Sequence, residues 1–331
     1  MEPNIKKLFT EDILTLAKSL YAMDSDSLKL LGGFEAFVYE YMFQGQAYIL
    51  KIAHSSHRTQ AQIESEMDFV RYLYEQGGAV SKPILNLKSA YTHRYPVESG
   101  YFVLSSTEKA SGQRPVDLLS NPTLQYNYGR TIGHFHQLTH HYHRSANIEP
   151  RFAWDQDPLI LEAKQYLDDN DAYMYEALQQ TIHDIRQIPK TKHNYGLIHT
   201  DIHRSNFLVD SQNQLTVFDF DDASEHYVIS DLAIAIFYGL FFDPDRHQKA
   251  PAFILQLLKG YTSRYPLFKS DWIQIEHFFR LRILILYLAL KRSTDTKDPF
   301  TVKFNQIFLP LIQSNAPFLN LDYESLYEQL P

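Results

Sequence analysis

The chain has 331 residues, no cysteine, 31 Lys+Arg against 39 Asp+Glu for a formal net charge of −8, and 44% hydrophobic residues. Without a thiol it can build no disulfide, thiolate metal site, iron–sulfur cluster or cysteine nucleophile, so its chemistry must come from Asp, Glu, His, Lys and hydroxyls. The acidic balance lacks the basic footprint of a nucleic-acid binder, and the length and apolar fraction suit about two folded domains. Residues 1–13 carry no apolar signal-peptide core. The longest apolar run, 232–242, is about half of the ~20 residues a membrane span needs, so a cytoplasmic protein is expected.

Thr10 is a candidate cap for a helix in which Ile13, Ala17, Leu20 and Tyr21 share one face, with Glu11 and Asp12 at its positive end. Short β-branched and aromatic runs at 28–31, 37–42 and 48–52, punctuated by Gly32-Gly33 and Gly45, predict an antiparallel meander. Ile63, Met67, Val70 and Leu73 recur at helical spacing and predict a helix over 58–76, ended by Gly77-Gly78. Strands are expected around 83–87 and 101–105, and the polar stretch 106–115 is the candidate interdomain connector. Beyond it, helical spacing covers 118–139, 158–188, 230–242, 251–265, 271–291 and 301–312. Strand-like runs interrupt it at 196–199, 207–209 and 215–220.

Around those interruptions the sequence reads His199-Thr200-Asp201-Ile202-His203-Arg204-Ser205-Asn206, then Phe218-Asp219-Phe220-Asp221-Asp222. Phosphoryl transfer asks little covalent chemistry of a protein: a carboxylate to orient a hydroxyl and take its proton, and oxygen ligands for magnesium on the phosphates. Asp201 fits the first role, and Asn206 and Asp219 fit the second. The short spacing lets one loop present Asp201 and Asn206 together.

These residues resemble the aminoglycoside phosphotransferase and choline kinase-like family, including type II homoserine kinase-like proteins, and the resemblance extends over most of the chain. It implies an α+β, two-lobed protein-kinase-like fold. A small antiparallel-sheet lobe with one long helix, 1–106, would bind nucleotide. A larger, mostly helical lobe, 107–331, would carry catalysis and the acceptor, joined by a hinge at about 106–112. ATP would lie between the lobes.

The resemblance also distributes roles. Gly32-Gly33-Phe34-Glu35-Ala36-Phe37-Val38-Tyr39 resembles the hairpin that covers the nucleotide, although it has only two glycines. Lys51 resembles the third-strand phosphate lysine, with Glu66 as its ion-pair partner and Glu64 as the alternative. Glu108 and Ala110 would contact adenine. Asp231, in Ser230-Asp231-Leu232-Ala233, would brace the catalytic loop, with His199 supporting it. Asp-Phe-Asp-Asp in place of Asp-Phe-Gly is usual among the small-molecule kinases of this group.

The implied activity is transfer of the γ-phosphate of ATP, with GTP as the alternative nucleotide and Mg2+ as the metal, to a hydroxyl of a small molecule. Amino alcohols, aminoglycosides and sugars are all open as acceptors, and no nucleic acid or membrane partner is expected. Helices over 120–190 and 246–315 would form the acceptor site; Arg280 and Arg282 are expected mainly in the core, with a substrate role for either as the alternative. Two other readings stand beside this one: a non-catalytic pseudokinase scaffold, and a metal-dependent hydrolase using His199, Asp201 and His203 with His193 nearby.

Overall fold

The computed structural model describes residues 3–33, 35–293 and 297–330. Phe34, part of the hairpin expected over the nucleotide, lies outside them. Two units are formed: the first from residues up to Ser111 with Tyr142–Arg151 and Thr216–Asp221, the second from Gly112–His141, Phe152–Leu215 and the chain from Asp222 onward.

The first unit contains α1 (Pro3–Lys7), α2 (Glu11–Leu20), β1 (Lys29–Gly32), β2 (Ala36–Phe43), β3 (Gln46–His54), α3 (Gln60–Glu75), β4 (Pro83–Ile84), β5 (Thr92–Pro96) and β6 (Tyr101–Glu108). The sheet runs β1-β2-β3-β6-β4, with β5 also on β6, and all its pairings are antiparallel. Strand alternation sends Leu50, Ile52, Phe102 and Leu104 to one face, against Ile13, Ala17 and Leu20 of α2. Ala36, Ala53 and Val103 go to the other, against Ile63 and Met67 of α3. Lys51, between Leu50 and Ile52, therefore lies on the α3 face. Thr59 starts α3 with a capping box, its side chain accepting from Gln62 N–H while the Gln62 side chain accepts from Thr59 N–H at 2.9 Å.

β5 has no counterpart in the expected elements. Its residues, Thr-His-Arg-Tyr-Pro, include no aliphatic strand former, so only their alternating burial marks the strand.

The two later segments join this unit through specific bonds. Val217 N–H donates to Ala79 O at 2.8 Å and Ser81 N–H to Val217 O at 3.0 Å. Buried Asp68 of α3 accepts from Tyr142 Oη at 2.8 Å and from Ser145 Oγ at 2.6 Å, while Arg71 Nη2 donates to it at 2.9 Å. Burial opposes ionisation of Asp68, but these donors outweigh it and hold its carboxyl below the usual range.

In the second unit α4 (Pro122–Thr139) is followed by α5 (Pro158–Leu161), α6 (Ala163–Tyr166) and α7 (Ala172–Arg186). The single helix expected over 158–188 is thus broken. Asp168 caps instead of continuing, its side chain accepting from Asn170 N–H at 2.9 Å in a reciprocal box with Asp171. The run Asp168-Asp169-Asn170-Asp171 competes with the helix for backbone bonds.

Next come β7 (Tyr195–Ile198), β8 (Phe207–Val209), β9 (Leu215–Val217), whose last two residues belong to the first unit, and β10 (Ser224–Tyr227), with β7 and β10 antiparallel. The chain continues as α8 (Ile229–Leu240), α9 (Arg246–Thr262), α10 (Lys269–Trp272), α11 (Ile275–Ser293), α12 (Pro299–Gln313) and α13 (Tyr323–Glu328). The helix expected over 271–291 is therefore two, and α9 starts before Pro251. α8 is buried nearly all round, from Ile229 through Phe237, which explains its apolar run. Among the described residues no helix is long and apolar enough to cross a membrane.

α4 and α9 pack backbone to backbone. A Cβ on Gly129 would stand 1.8 Å from Leu257 O, and one on Gly260 would stand 1.9 Å from Tyr126 O. Alanine is worth about 1 kcal/mol more than glycine inside a helix, but overpacking costs ~1–3 kcal/mol. With backbone carbonyls as the obstructing atoms, the second effect wins. Gly129→Ala is expected to lower the thermal unfolding midpoint; a raised midpoint would show that the helices can separate cheaply.

His226 of β10 is buried, stacked on Trp154 at 5.0 Å, and its Nδ1 accepts from Tyr227 N–H at 2.8 Å. Burial, aided by Lys190, pushes its pKa down to about 3. An unfolded histidine titrates near 6.5, so the unfolded chain gains the proton first as pH falls. Stability is complete above pH ~6.5 and declines below it, by about 2 kcal/mol at pH 5 from this group alone. His226→Phe should flatten the stability–pH curve between pH 6.5 and 5; identical slopes would remove His226 from the acid response.

Candidate active site

In the first unit Lys51 Nζ bonds Asp219 Oδ1 at 2.9 Å and Asp221 Oδ1 at 3.0 Å. Glu66, the expected partner, makes no ion pair with Lys51 among the described residues but acts on it electrostatically beside the two aspartates. Glu64 is turned elsewhere, accepting from Thr92 Oγ1 at 2.8 Å and Gln60 Nε2 at 2.9 Å. Burial would strip the Lys51 proton, but Asp219, Asp221 and Glu66 outweigh it and hold the ammonium charged well above its usual range. Glu66 itself is raised to about 7, because burial and the nearby aspartates outweigh Lys51.

The two aspartates differ. Asp221, with 13% of its side chain exposed, also meets His57 Nε2 at 2.7 Å and Arg58 Nε at 3.3 Å, while Arg151 donates to its main-chain oxygen. Burial opposes ionisation there, but Lys51, Arg58 and His57 keep the carboxyl well below the usual range. Asp219 has 49% of its side chain exposed and only Lys51 as an ion-pair partner among the described residues. Its φ of +64° puts a non-glycine residue in the left-handed region, a conformation retained where surroundings enforce it. A hard divalent cation takes carboxylate and carbonyl oxygens; exposed, singly paired Asp219 fits one, and triply paired Asp221 is a structural anchor.

In the second unit Asp201 and Asn206 are brought together. Asn206 Nδ2 donates to Asp201 Oδ2 and to its main-chain oxygen, both at 3.0 Å, leaving the amide oxygen as the acceptor suited to a cation. Asp201 Oδ1 accepts from Arg282 Nη2, and His203 Nε2 lies 3.4 Å from Oδ2. Burial would raise Asp201, but Arg282, His203 and His199 overcome it and hold the carboxyl well below the usual range.

The loop behind Asp201 is held from below. Asp231 Oδ1 accepts from Thr200 N–H at 2.8 Å, and its Oδ2 accepts from His199 N–H at 3.2 Å. His136 Nε2 is 3.2 Å from Oδ2, and its Nδ1 is 3.0 Å from Tyr261 Oη. Tyr128 Oη donates to Ile202 O, and Thr200, at φ +60°, donates its hydroxyl to Asp222 O. His199 is buried, with Nδ1 accepting from Asp201 N–H at 3.2 Å, which makes it a support for the loop backbone.

In the segment expected as the hinge, Glu108 ends β6 and spends its N–H on Lys82 O at 2.8 Å, so that group cannot also donate to a base. Ala110 N–H has no backbone partner among the described residues. Gly112, at φ +103°, has no room for a side chain: a Cβ would sit 2.3 Å from Val209 O.

Tyr238 near Asp201, and His57, Arg58 and Arg151 around Asp221, carry no signal in the sequence, and nothing in the helical runs that hold Arg282 and His136 ties them to Asp201 or Asp231. They reach these carboxylates from distant chain segments, and no local spacing marks them. The hydrolase alternative loses its geometry. His193 stacks on His140 at 5.3 Å, and among the described residues no group of three or more His, Asp or Glu side chains could hold a metal.

Residues 28–268 match APH, the phosphotransferase enzyme family. Over 331 residues the chain is 32% identical to an amicoumacin kinase of Bacillus subtilis (strain 168), covering 98% of each protein. Among solved structures it is similar to the amicoumacin kinase hAmiN in complex with AMP-PNP, Ca2+ and Ami, with a TM-score of 0.91, 27% identity, and 98% of this chain and 100% of that one covered. A microcompartment-associated aminopropanol kinase shares the fold, with a TM-score of 0.75, 20% identity and 93% and 99% coverage. None of these relatives supports the scaffold or hydrolase reading. By sequence match over most of its length and by the fold it shares with these kinases, the chain belongs to the APH phosphotransferase enzyme family.

Proposed function

We propose that this phosphotransferase moves the γ-phosphoryl group of ATP, with Mg2+, to a hydroxyl of a small molecule of the amicoumacin or amino-alcohol type. The observation that carries this is the Asp201–Asn206 pair on a loop braced by Asp231, in a chain that also presents Lys51 beside exposed Asp219. Lys51 binds phosphate oxygens, and Glu66 stays close enough to stabilise its charge when Asp219 turns to the metal. Asn206 and Asp219 would hold the cation, which neutralises charge developing on the phosphate oxygens when bound. Asp201 accepts the acceptor hydroxyl's hydrogen bond, orients its lone pair, and takes its proton late, as its depressed pKa dictates. Ala110 N–H and the Glu108 carbonyl are the hinge groups assigned to adenine, and the helices over 120–190 and 246–315 are assigned to the acceptor.

The relatives support the choice: an amicoumacin kinase of B. subtilis in sequence, and hAmiN, solved with AMP-PNP and Ca2+. A thermal shift tests the nucleotide part. At 100 times its dissociation constant a ligand adds about 2.7 kcal/mol, which is about 4 °C for a chain of this size. The midpoint should rise with Mg·AMP-PNP, and ADP should be released when amicoumacin is added to Mg·ATP. A chain that responds to neither is not this kinase.

A further inference from the structure

The Arg282 guanidinium divides its donors unevenly. Nε donates to Tyr238 Oη at 3.1 Å, and Nη2 donates both to Tyr238 Oη at 2.6 Å and to Asp201 Oδ1. Nη1 has no partner among the described residues, and the buried side-chain atoms without a partner are Arg246 Nε and Asn305 Oδ1 only. The Nη1 edge is therefore reachable from solvent, although the side chain as a whole is 14% exposed. Tyr238 fixes the guanidinium on the other side, and the His203 ring packs against Tyr238 at 4.7 Å.

A carboxylate offers about four lone-pair positions. Arg282 takes one on Oδ1, and Asn206 with His203 engages Oδ2, so a hydroxyl approaching Asp201 has room on the Arg282 side. The two terminal nitrogens of one guanidinium are neighbours. A group that bonds Nη1 must sit only a few bonds from a hydroxyl that bonds Oδ1, and it must offer an acceptor oxygen, since Arg has donors only. An ammonium placed there would meet a cation.

Resting on the phosphotransferase reading above, we infer that Arg282 is a specificity-determining residue that selects acceptors carrying a carbonyl-type oxygen, carboxamide or carboxylate, beside the reacting hydroxyl. A site built to hydrogen-bond such an oxygen discriminates strongly against the analogue that lacks it, because its polar group is then left unpaired.

The test uses the full chain with Mg·ATP and a matched pair: 3-amino-2-hydroxypropanamide against 1-amino-2-propanol, which differ by replacement of the carboxamide with methyl. Wild type should favour the amide by roughly 10–100-fold in kcat/KM. Arg282→Lys, which keeps the charge but loses the planar second edge, should bring that ratio within about threefold. Equal use of both compounds by wild type overturns the inference without any variant, so poor folding of Arg282→Lys cannot shelter it. A variant that loses both substrates equally, with the ratio intact, reduces Arg282 to an ion pair and also overturns it. No ADP release with either compound or with amicoumacin is a different failure: it overturns the phosphotransferase reading, and the inference falls with it.

Discussion

Replacing Asp201 by asparagine is expected to lower turnover by about 10²–10⁴-fold, the usual worth of a positioned general base, while nucleotide affinity stays within a few-fold of wild type. Asparagine is preferable to alanine here. Arg282 Nη2 and Asn206 Nδ2 both end on this carboxylate. Removing it outright leaves the largely buried Arg282 guanidinium without its counter-charge, a change that costs up to about 3–5 kcal/mol. Asparagine keeps an acceptor oxygen in place, so lost activity can be separated from lost structure. Asp201→Ala should show the same loss of turnover together with a lower unfolding midpoint. Steady-state ADP release with a nucleotide titration checks both; an undiminished rate in Asp201→Asn would remove the residue from the chemistry.

Asp219→Ala should abolish the Mg2+ dependence of nucleotide binding, weakening Mg·ATP by about 100-fold or more, with the fold preserved. The side chain is about half exposed, and Lys51 retains Asp221 at 3.0 Å when it is gone. The neighbouring substitution should behave oppositely. Asp221→Ala removes the one carboxylate that Lys51, His57 and Arg58 share and is expected to lower the unfolding midpoint and the yield of folded protein. Calorimetric titration with and without Mg2+ decides the first case, and unchanged affinity for Mg·ATP would sink the metal assignment. The contrast separates two carboxylates of one Asp-Phe-Asp motif by their partners rather than by their spacing.

Much of the first unit is legible in the amino-acid sequence. Apolar and aromatic runs in β2, β3 and β6, and the helical recurrence of Ile63, Met67 and Val70, announce elements that must be buried against a neighbour. Asp201, Asn206 and Asp219 stand out because one short loop and one further carboxylate are local patterns. β5 and β10 are not visible in it, since Thr-His-Arg-Tyr-Pro and Ser-Glu-His-Tyr carry no apolar alternation and gain their strand bonds from neighbours. The helix break at Asp168 is hidden because capping competes with helix continuation through a few side-chain bonds that apolar periodicity ignores.

The site divides the same way. The residue types proposed for the chemistry follow from the sequence: a cysteine-free chain with a His-x-Asp loop, an asparagine five residues after its aspartate, and a later Asp-Phe-Asp offers that combination in local patterns. Which charges face each other is decided by tertiary structure alone. Lys51 pairs with Asp219 and Asp221 rather than Glu66, and Arg282 of α11, expected in the core, holds Asp201. Ion pairs between distant segments depend on how strands and helices pack, and Coulomb attraction acts on distance in space, which linear spacing does not encode.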